Sequence, residues 1–503
     1  MLMAAALACG MADAAQAAKD LVVGVDSNLT GLDPADLNDN LSQSAVRLMF
    51  EGLYMLDEHM QLRPQLAESY EATEDAKEFT FHLRKGVTFQ DGTPFNAAAV
   101  KFSFDRAGNP ENHLKRQSLY VMIDHTDAVD DYTVKVVLKY PFGAFVNDIA
   151  HPGALIVSPK SVQEFGKEVT RHPSGTGPYE FVSWSADTLK LKKNAHYWKP
   201  GLPKLDSITY RSVPENGARI AMLQAGEAQF IYPVPPEMIK ILGNSPTITV
   251  FNESSILVRY VALNNMRKPF SDPRVRLALN YAIDKQAFSK VVFSGYSDPM
   301  DSPMPQLLGF YQRQGSYPYD PAKAKALLAE AGYPNGFEST ITSGVATLAQ
   351  RGMQFVQQQL AAIGVTLKIE PLEAGVLTAR MFNVQKPEDA TIVMQYTAWS
   401  SSTGDADWGM RPMLYTKSFP PVLSNLAWYS NPATDAAIEQ GLATVDPTKR
   451  AAAYAKAQAQ VWQDVPWIFL GVDHNLAAYS KQLHGAFIRP DQQFHLTEDA
   501  TLD

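Results

Sequence analysis

The sequence predicts an α/β protein with at least two domains, and three observations carry that reading. The chain has 503 residues, 46% of them hydrophobic, which is more than one core usually organises. Up to about residue 180 it is rich in short strand patterns broken by Pro, Gly, Asn and Asp. After about residue 265 helical and strand patterns alternate, and that alternation implies a parallel sheet.

Leu21 to Val25 is a short apolar run followed by the polar segment Asp26 to Asp33, which reads as a buried strand and a loop. Phe79, Phe81 and Leu83 alternate with polar residues, as do Val134, Val136 and Leu138, so both segments read as half-buried strands. Asp272-Pro273 supplies a cap with proline in the first turn. Val275, Leu279, Ala282 and Ile283 then share one helical face. Asp320-Pro321 repeats the device for a helix that stops at Gly332. Met353, Val356, Leu360 and Ile363 mark another amphipathic helix, which ends at Gly364 and leads into a strand at Val365 to Ile369.

Lys and Arg number 44 against 53 Asp and Glu; the net charge of −9 argues against nucleic acid as a partner. The ten histidines are scattered, with no His-Glu-x-x-His, so no metal is expected. Gly175-Thr176-Gly177 lacks the spacing and lysine of a phosphate loop, and there is no Gly-x-Ser-x-Gly elbow. The expectation is a non-enzyme without a cofactor.

Residues 1–17 read as a signal peptide, with small apolar residues ending in Ala15-Gln16-Ala17 ahead of Ala18-Lys19. The stretch falls short of the roughly 20 apolar residues a spanning helix needs. Cys9, the chain's one cysteine, sits in a weak lipoprotein-like box; cleavage after Ala17 leaves a mature chain with no thiol. A soluble, periplasmic product is expected.

A series of phrases resembles the family 5 extracellular solute-binding proteins, the dipeptide and oligopeptide receptors of ABC importers. They are Leu83 to Phe95, Gly175 to Tyr179, Asn194 to Trp198, Ala221 to Phe230, Pro269 to Ile283 and Tyr319 to Phe337. Asp26 to Val46, Asn112 to Arg116, Lys199 to Ile208 and Trp399 to Trp408 are similar to the glutathione receptors within that family. The resemblance implies a two-lobed periplasmic-binding-protein clamp with a strand-rich subdomain on lobe 1. Lobe 1 would be residues 18–265, with 53–182 as the inserted subdomain; lobe 2 would be 266–478, and 479–503 would return to lobe 1. It also implies a monomer that closes on its solute and hands it to an inner-membrane permease with cytoplasmic ATPase subunits. A dipeptide, oligopeptide or haem receptor on the same fold, or a secreted hydrolase, are the alternatives.

Glutathione carries two carboxylates, an ammonium and a thiol, so its receptor needs cations, an acid and polar hooks. The loop Trp399 to Trp408 packs two Trp, two Asp, three Ser, a Thr and a Gly into ten residues, and it is the first candidate. Dipeptide receptors of the family hold the peptide ammonium with an Asp three residues after the matching Trp. Here that position is Ser402, which moves the expected ammonium partner to Asp405 or Asp407, with Trp399, Thr403, Gly404 and Trp408 as neighbours. Arg116 and Arg259 are the expected carboxylate grips, with Arg380 and Arg411 behind them. Asn28 and Thr30 follow the first strand, where ligands of open α/β sheets tend to lie. Thr176 and Gly177 are candidates for polar and backbone groups, and Tyr120 for the wall.

Overall fold

The computed structural model describes residues 19–384 and 386–503. The expected signal peptide and Cys9 lie outside the described residues. One eleven-stranded sheet organises most of the chain. Near one end β1 (Asp20–Val25) lies parallel to Ser207–Ser212 and to Phe230–Tyr232. The helix α1 (Asn40–Val46) follows, capped by Asp39, whose carboxylate accepts the Ser42 amide. Near the other end Glu338–Gly344 lies parallel to Thr366–Leu372, with the helix Thr347–Ala361 between them in sequence. That is the βαβ unit the periodicity predicts, and Met353, Val356 and Leu360 are buried on the helix's inner face.

Two strands run through both halves of this sheet. In β2 (Ile248–Leu263), residues Ile248 to Ser254 pair with the second half of β4 (Trp467–Ser480). Its later residues pair with the first half of β4 on one side and with β3 (Met394–Ser400) on the other. The register shifts between Ser254 and Val258, so the pairing is irregular where the strands pass from one half to the other. The passage between the halves thus lies inside long strands, one of them of 16 residues, and helices and strands alternate after it.

Two of the cores follow the same division, while a third joins residues of the segment 35–156 to residues of 256–472. Leu21, Val23, Ile208 and Phe230 pack with the C-terminal hairpin β5 (Leu483–Ile488) and β6 (Phe494–Leu502), so the end of the chain returns to the β1 half. Val275, Leu279, Ile341, Val356 and Leu367 form the core of the other half. Asp272 and Asp320 cap the helices Pro273–Tyr281 and Pro321–Glu330 by accepting backbone amides, as their Asp-Pro pairs predict.

A separate four-stranded antiparallel sheet has the order Ala67–Ala72, Glu78–Leu83, Thr133–Leu138, Ile123–Asp130. Phe79 and Phe81 point to its buried face as their alternation requires, and their rings lie 4.9 and 6.4 Å from Phe145. Burying each such ring contributes about 1.5–3 kcal/mol. Phe145 belongs to α2 (Phe145–Ile149), which carries this sheet's face toward the loop described next. Among the described residues no helix is long and apolar enough to cross a membrane.

Candidate functional site

The loop after β3 turns sharply at Gly404, whose φ of +70° favours glycine, and enters α3 (Ala406–Leu414). A Cβ on Gly404 would meet Leu56 Cδ1 at 3.0 Å, so the turn is pressed against the hairpin of residues 54–64. Asn147 of α2 donates Nδ2 to the Thr403 carbonyl at 3.1 Å. Gly143 donates its amide to the Leu442 carbonyl at 2.7 Å. The residues 53–182 thus touch the segment 399–450 directly.

Within the loop, Trp399 Nε1 donates to the Trp408 carbonyl at 2.7 Å, and the two indoles lie 5.9 Å apart, both half-buried. The hydroxyls of Ser400, Ser401 and Thr403 are buried and make no hydrogen bond among the described residues. Ser402 beside them is half-buried. A row of hydroxyls next to an indole wall can accept from or donate to a polar solute.

The two loop acids are committed elsewhere. Asp405 caps α3 by accepting the Asp407 amide at 2.8 Å, and Arg450 Nη1 and Nη2 each donate to it at 2.8 Å. Side-chain exposure in this pair is 3% for Asp405 and 6% for Arg450. Asp407 receives Arg411 one helical turn on, with Nε at 2.8 Å and Nη2 at 2.7 Å. Each carboxylate expected to hold an ammonium therefore already faces a guanidinium. Burial alone would pull Arg450 and Arg411 down, yet their acid partners hold both above the ordinary arginine value. Asp148 of α2 faces the same group; burial first, then the charge of Asp407, drives its carboxyl well above the usual range.

Arg259 on β2 is also paired, donating Nε and Nη2 to both carboxylate oxygens of Asp473 on β4, and it lies over the rings of Phe293 and Tyr396. Arg380 reaches Glu370 at 3.0 Å. Arg116 differs: Nε donates to the Leu37 carbonyl at 2.6 Å, while neither Nη has a hydrogen bond among the described residues. It is half-buried beside Gly153, and desolvation lowers its pKa against the opposing charge of Asp39. Among the predicted carboxylate grips, it is the one with no ion-pair partner among the described residues.

The remaining candidates spread over the β1 half. Asn28 is exposed, and Thr30 is tied to the α1 cap, its hydroxyl donating to Asp39 at 2.5 Å. Tyr120 is buried in packing, edge-on to Phe104, with its hydroxyl donating to the Gly153 carbonyl at 3.2 Å. Thr176 donates to Glu51 at 2.8 Å, and Gly177 donates to the Met49 carbonyl at 2.9 Å. A Cβ on Gly177 would stand 2.6 Å from the Met49 carbonyl carbon, so this glycine serves a close backbone approach. Glu51 also accepts from Tyr197 and Trp198; burial outweighs these bonds and pushes its carboxyl up to about 7. A cavity of about 680 Å³ lies beside Asn112, His113 and Leu114, apart from the 399–408 loop. The structure thus clusters Trp399 to Trp408 with α2 and places Asn28, Thr30, Thr176 and Gly177 in other surroundings. Arg450, Asn147 and Leu56, which hold the loop, carry no local signal in the sequence.

The family model of bacterial extracellular solute-binding proteins, family 5, matches residues 61–420. The glutathione-binding protein GsiB of Pectobacterium atrosepticum is 47% identical over 488 residues, covering 97% of this chain and 95% of that protein. GsiB of Escherichia coli strain K12 is 47% identical over 494 residues, with 98% and 96% covered. Among solved structures, the periplasmic binding protein DppA of Helicobacter pylori, in complex with the peptide STSA, superposes with a TM-score of 0.80 at 27% identity, covering 96% of this chain and 98% of that one. HbpA2 of Haemophilus parasuis superposes with a TM-score of 0.86 at 26% identity, covering 96% and 100%. The α/β fold with its two halves is thus that of two-lobed periplasmic binding proteins, and the chain belongs to the family 5 bacterial extracellular solute-binding proteins.

Proposed function

We propose that the protein is the periplasmic glutathione receptor of an ABC importer, a monomer without catalytic activity that closes on the tripeptide and delivers it to a membrane permease. The observation that carries this reading is the 47% identity, over nearly the whole chain, to glutathione-binding relatives. The lobes, expected as residues 18–265 with 479–503 and as 266–478, with 53–182 inserted in the first, meet inside β2 and β4 rather than at 265 and 478. They hinge where β2 and β4 lose register, between Ser254 and Val258.

The solute lies against Trp399 and the hydroxyls of Ser400 to Thr403, and one carboxylate is gripped by the free nitrogens of Arg116. Asp405 and Asp407 act through the loop: drawing either off its arginine to meet an ammonium breaks a buried pair, at a cost of about 3–5 kcal/mol. The ammonium is therefore met by hydroxyl and carbonyl oxygens of the 400–403 segment.

A thermal-shift screen with reduced and oxidised glutathione, di- and tripeptides and haem tests the reading. Glutathione at a hundredfold excess over Kd should stabilise the fold by about 2.7 kcal/mol, and scattering should show a smaller radius with it bound. A shift with α-linked dipeptides or haem and none with glutathione would overturn it.

A further inference from the structure

The turn joining β5 to β6 carries Arg489, which is fully buried. Its Nη2 donates to Asp491 Oδ2 at 3.1 Å, whereas Nε and Nη1 are buried without a hydrogen-bond partner among the described residues. Arg47, just past α1, stands close by; its Nε donates to Gln493 Oε1 at 2.9 Å, and Gln493 in turn donates to Gln43 at 3.1 Å. His151 and His495 complete the group. Burial, then the charges of Arg116, Arg47 and Arg489, pulls His151 well down; burial, then Arg489 and Arg47, pulls His495 down to about 3. Both histidines are neutral at pH 7, so the cluster holds two guanidinium charges against the one carboxylate of Asp491.

A buried guanidinium with two idle donors and an uncompensated positive charge is a costly arrangement, and one negative charge relieves the charge deficit and one of the donors. The place matters as well. Ile256 of β2 donates its amide to the Pro490 carbonyl at 2.9 Å, and Asn475 of β4 donates Nδ2 to the Arg489 carbonyl at 2.7 Å. The turn therefore leans on both strands that pass between the halves, at the register shift in β2. A cavity of about 360 Å³ opens beside Arg47 and His495; Lys199 and the carboxylates of Glu51, Glu498 and Asp499 also line it, while Arg489 lies behind its wall.

We infer that Arg489 and Arg47 form a binding site for one small monoanion, with a carboxylate or a halide taking one of the two free donors of Arg489, next to the strands that join the halves. The anion is either a carboxylate of the captured solute, which rests on the glutathione reading, or a free ion, which does not. Occupying the site ties α1, the C-terminal turn and both crossing strands together, so it favours one setting of the halves.

The test uses the full chain and its Arg489→Met, Arg489→Lys and Arg47→Met variants, each checked for native circular dichroism. Melting is followed while chloride or formate replaces the sulfonate isethionate at constant ionic strength. Calorimetry is run with glutathione and with its two forms in which one or the other carboxyl is amidated. A free anion is the occupant if chloride or formate raises the parent's Tm by several degrees and Arg489→Met abolishes the rise. A solute carboxylate is the occupant if one amide binds the parent at least tenfold more weakly than glutathione and Arg489→Met removes that difference. Arg489→Lys and Arg47→Met, which change fewer contacts, decide the matter if Arg489→Met does not fold. The inference falls if free anions leave Tm unchanged in the parent and the variants discriminate glutathione from both amides as the parent does. Absence of any heat with glutathione in the parent refutes the glutathione reading alone, and the chloride and formate titrations still decide the site.

Discussion

Replacing Asp405 with Asn removes one partner of the buried Asp405–Arg450 pair while keeping an oxygen to cap α3. With two charges about 4 Å apart and an effective dielectric near 20, the lost attraction is about 4 kcal/mol. That agrees with the ~3–5 kcal/mol typical of stranding one member of a buried pair. Arg450 then keeps the Gly441 carbonyl, to which its Nε donates at 2.9 Å, and the one neutral oxygen that also caps α3. Asp405→Ala should cost about 1 kcal/mol more than Asn, because the cap to the Asp407 amide is lost too. Urea denaturation of both variants, of Arg450→Met and of the Asp405→Asn/Arg450→Met double variant gives the coupling. The double variant should be at least 2 kcal/mol less damaged than the two single changes added together. Glutathione calorimetry on the folded Asn variant completes the experiment. If stability changes by less than 1 kcal/mol while affinity falls thirtyfold or more, the carboxylate contacts solute and its assignment to the loop is refuted.

Arg116→Met should weaken glutathione binding by about 2 kcal/mol, roughly thirtyfold by calorimetry. Its cost to stability should stay near 1 kcal/mol, the worth of the one bond to Leu37. Glu51 bears on pH: its folded value of about 7 lies above the ordinary one, so the folded state holds the proton more tightly than the unfolded chain does. The stability this contributes is complete below about pH 4.5 and is lost as pH rises through 7, a fall of about 3 kcal/mol. His151 and His495, whose folded values are lowered, make stability rise with pH over part of the same range. The Glu51 contribution is therefore read by denaturation as the parent's stability minus that of Glu51→Gln, which should fall by about 3 kcal/mol from pH 4.5 to 8. A difference between parent and variant that stays flat or grows with pH would refute the assignment.

The helices with Asp-Pro starts were legible because their signals are local. Asp272 and Asp320 cap within three residues of themselves, and the apolar spacing of Val275 and Leu279 reports one buried face. The alternation of Phe79, Phe81 and Leu83 was legible for the same reason. The Trp399–Trp408 loop could be singled out by composition, and the structure seats its hydroxyls and indoles together. The roles of its acids could not be read that way, since Asp405 meets Arg450 across 45 positions and no pattern near either residue announces the other.

What the sequence determined alone is the class of the fold, its caps and strand faces, and the family, because these depend on residues within a few positions or on phrases kept in order. What only the tertiary structure decided is which charges are free. Arg116 and Arg259 look alike as sequence, yet Arg259 is met by Asp473, 214 residues away, while Arg116 keeps two nitrogens open. Arg489 stood out in no motif, and it becomes singular only when the C-terminal turn folds back beneath α1 and encloses it. A charge's partner is set by which distant segments the sheet brings side by side, and burial then makes each pairing, or the lack of one, energetically decisive.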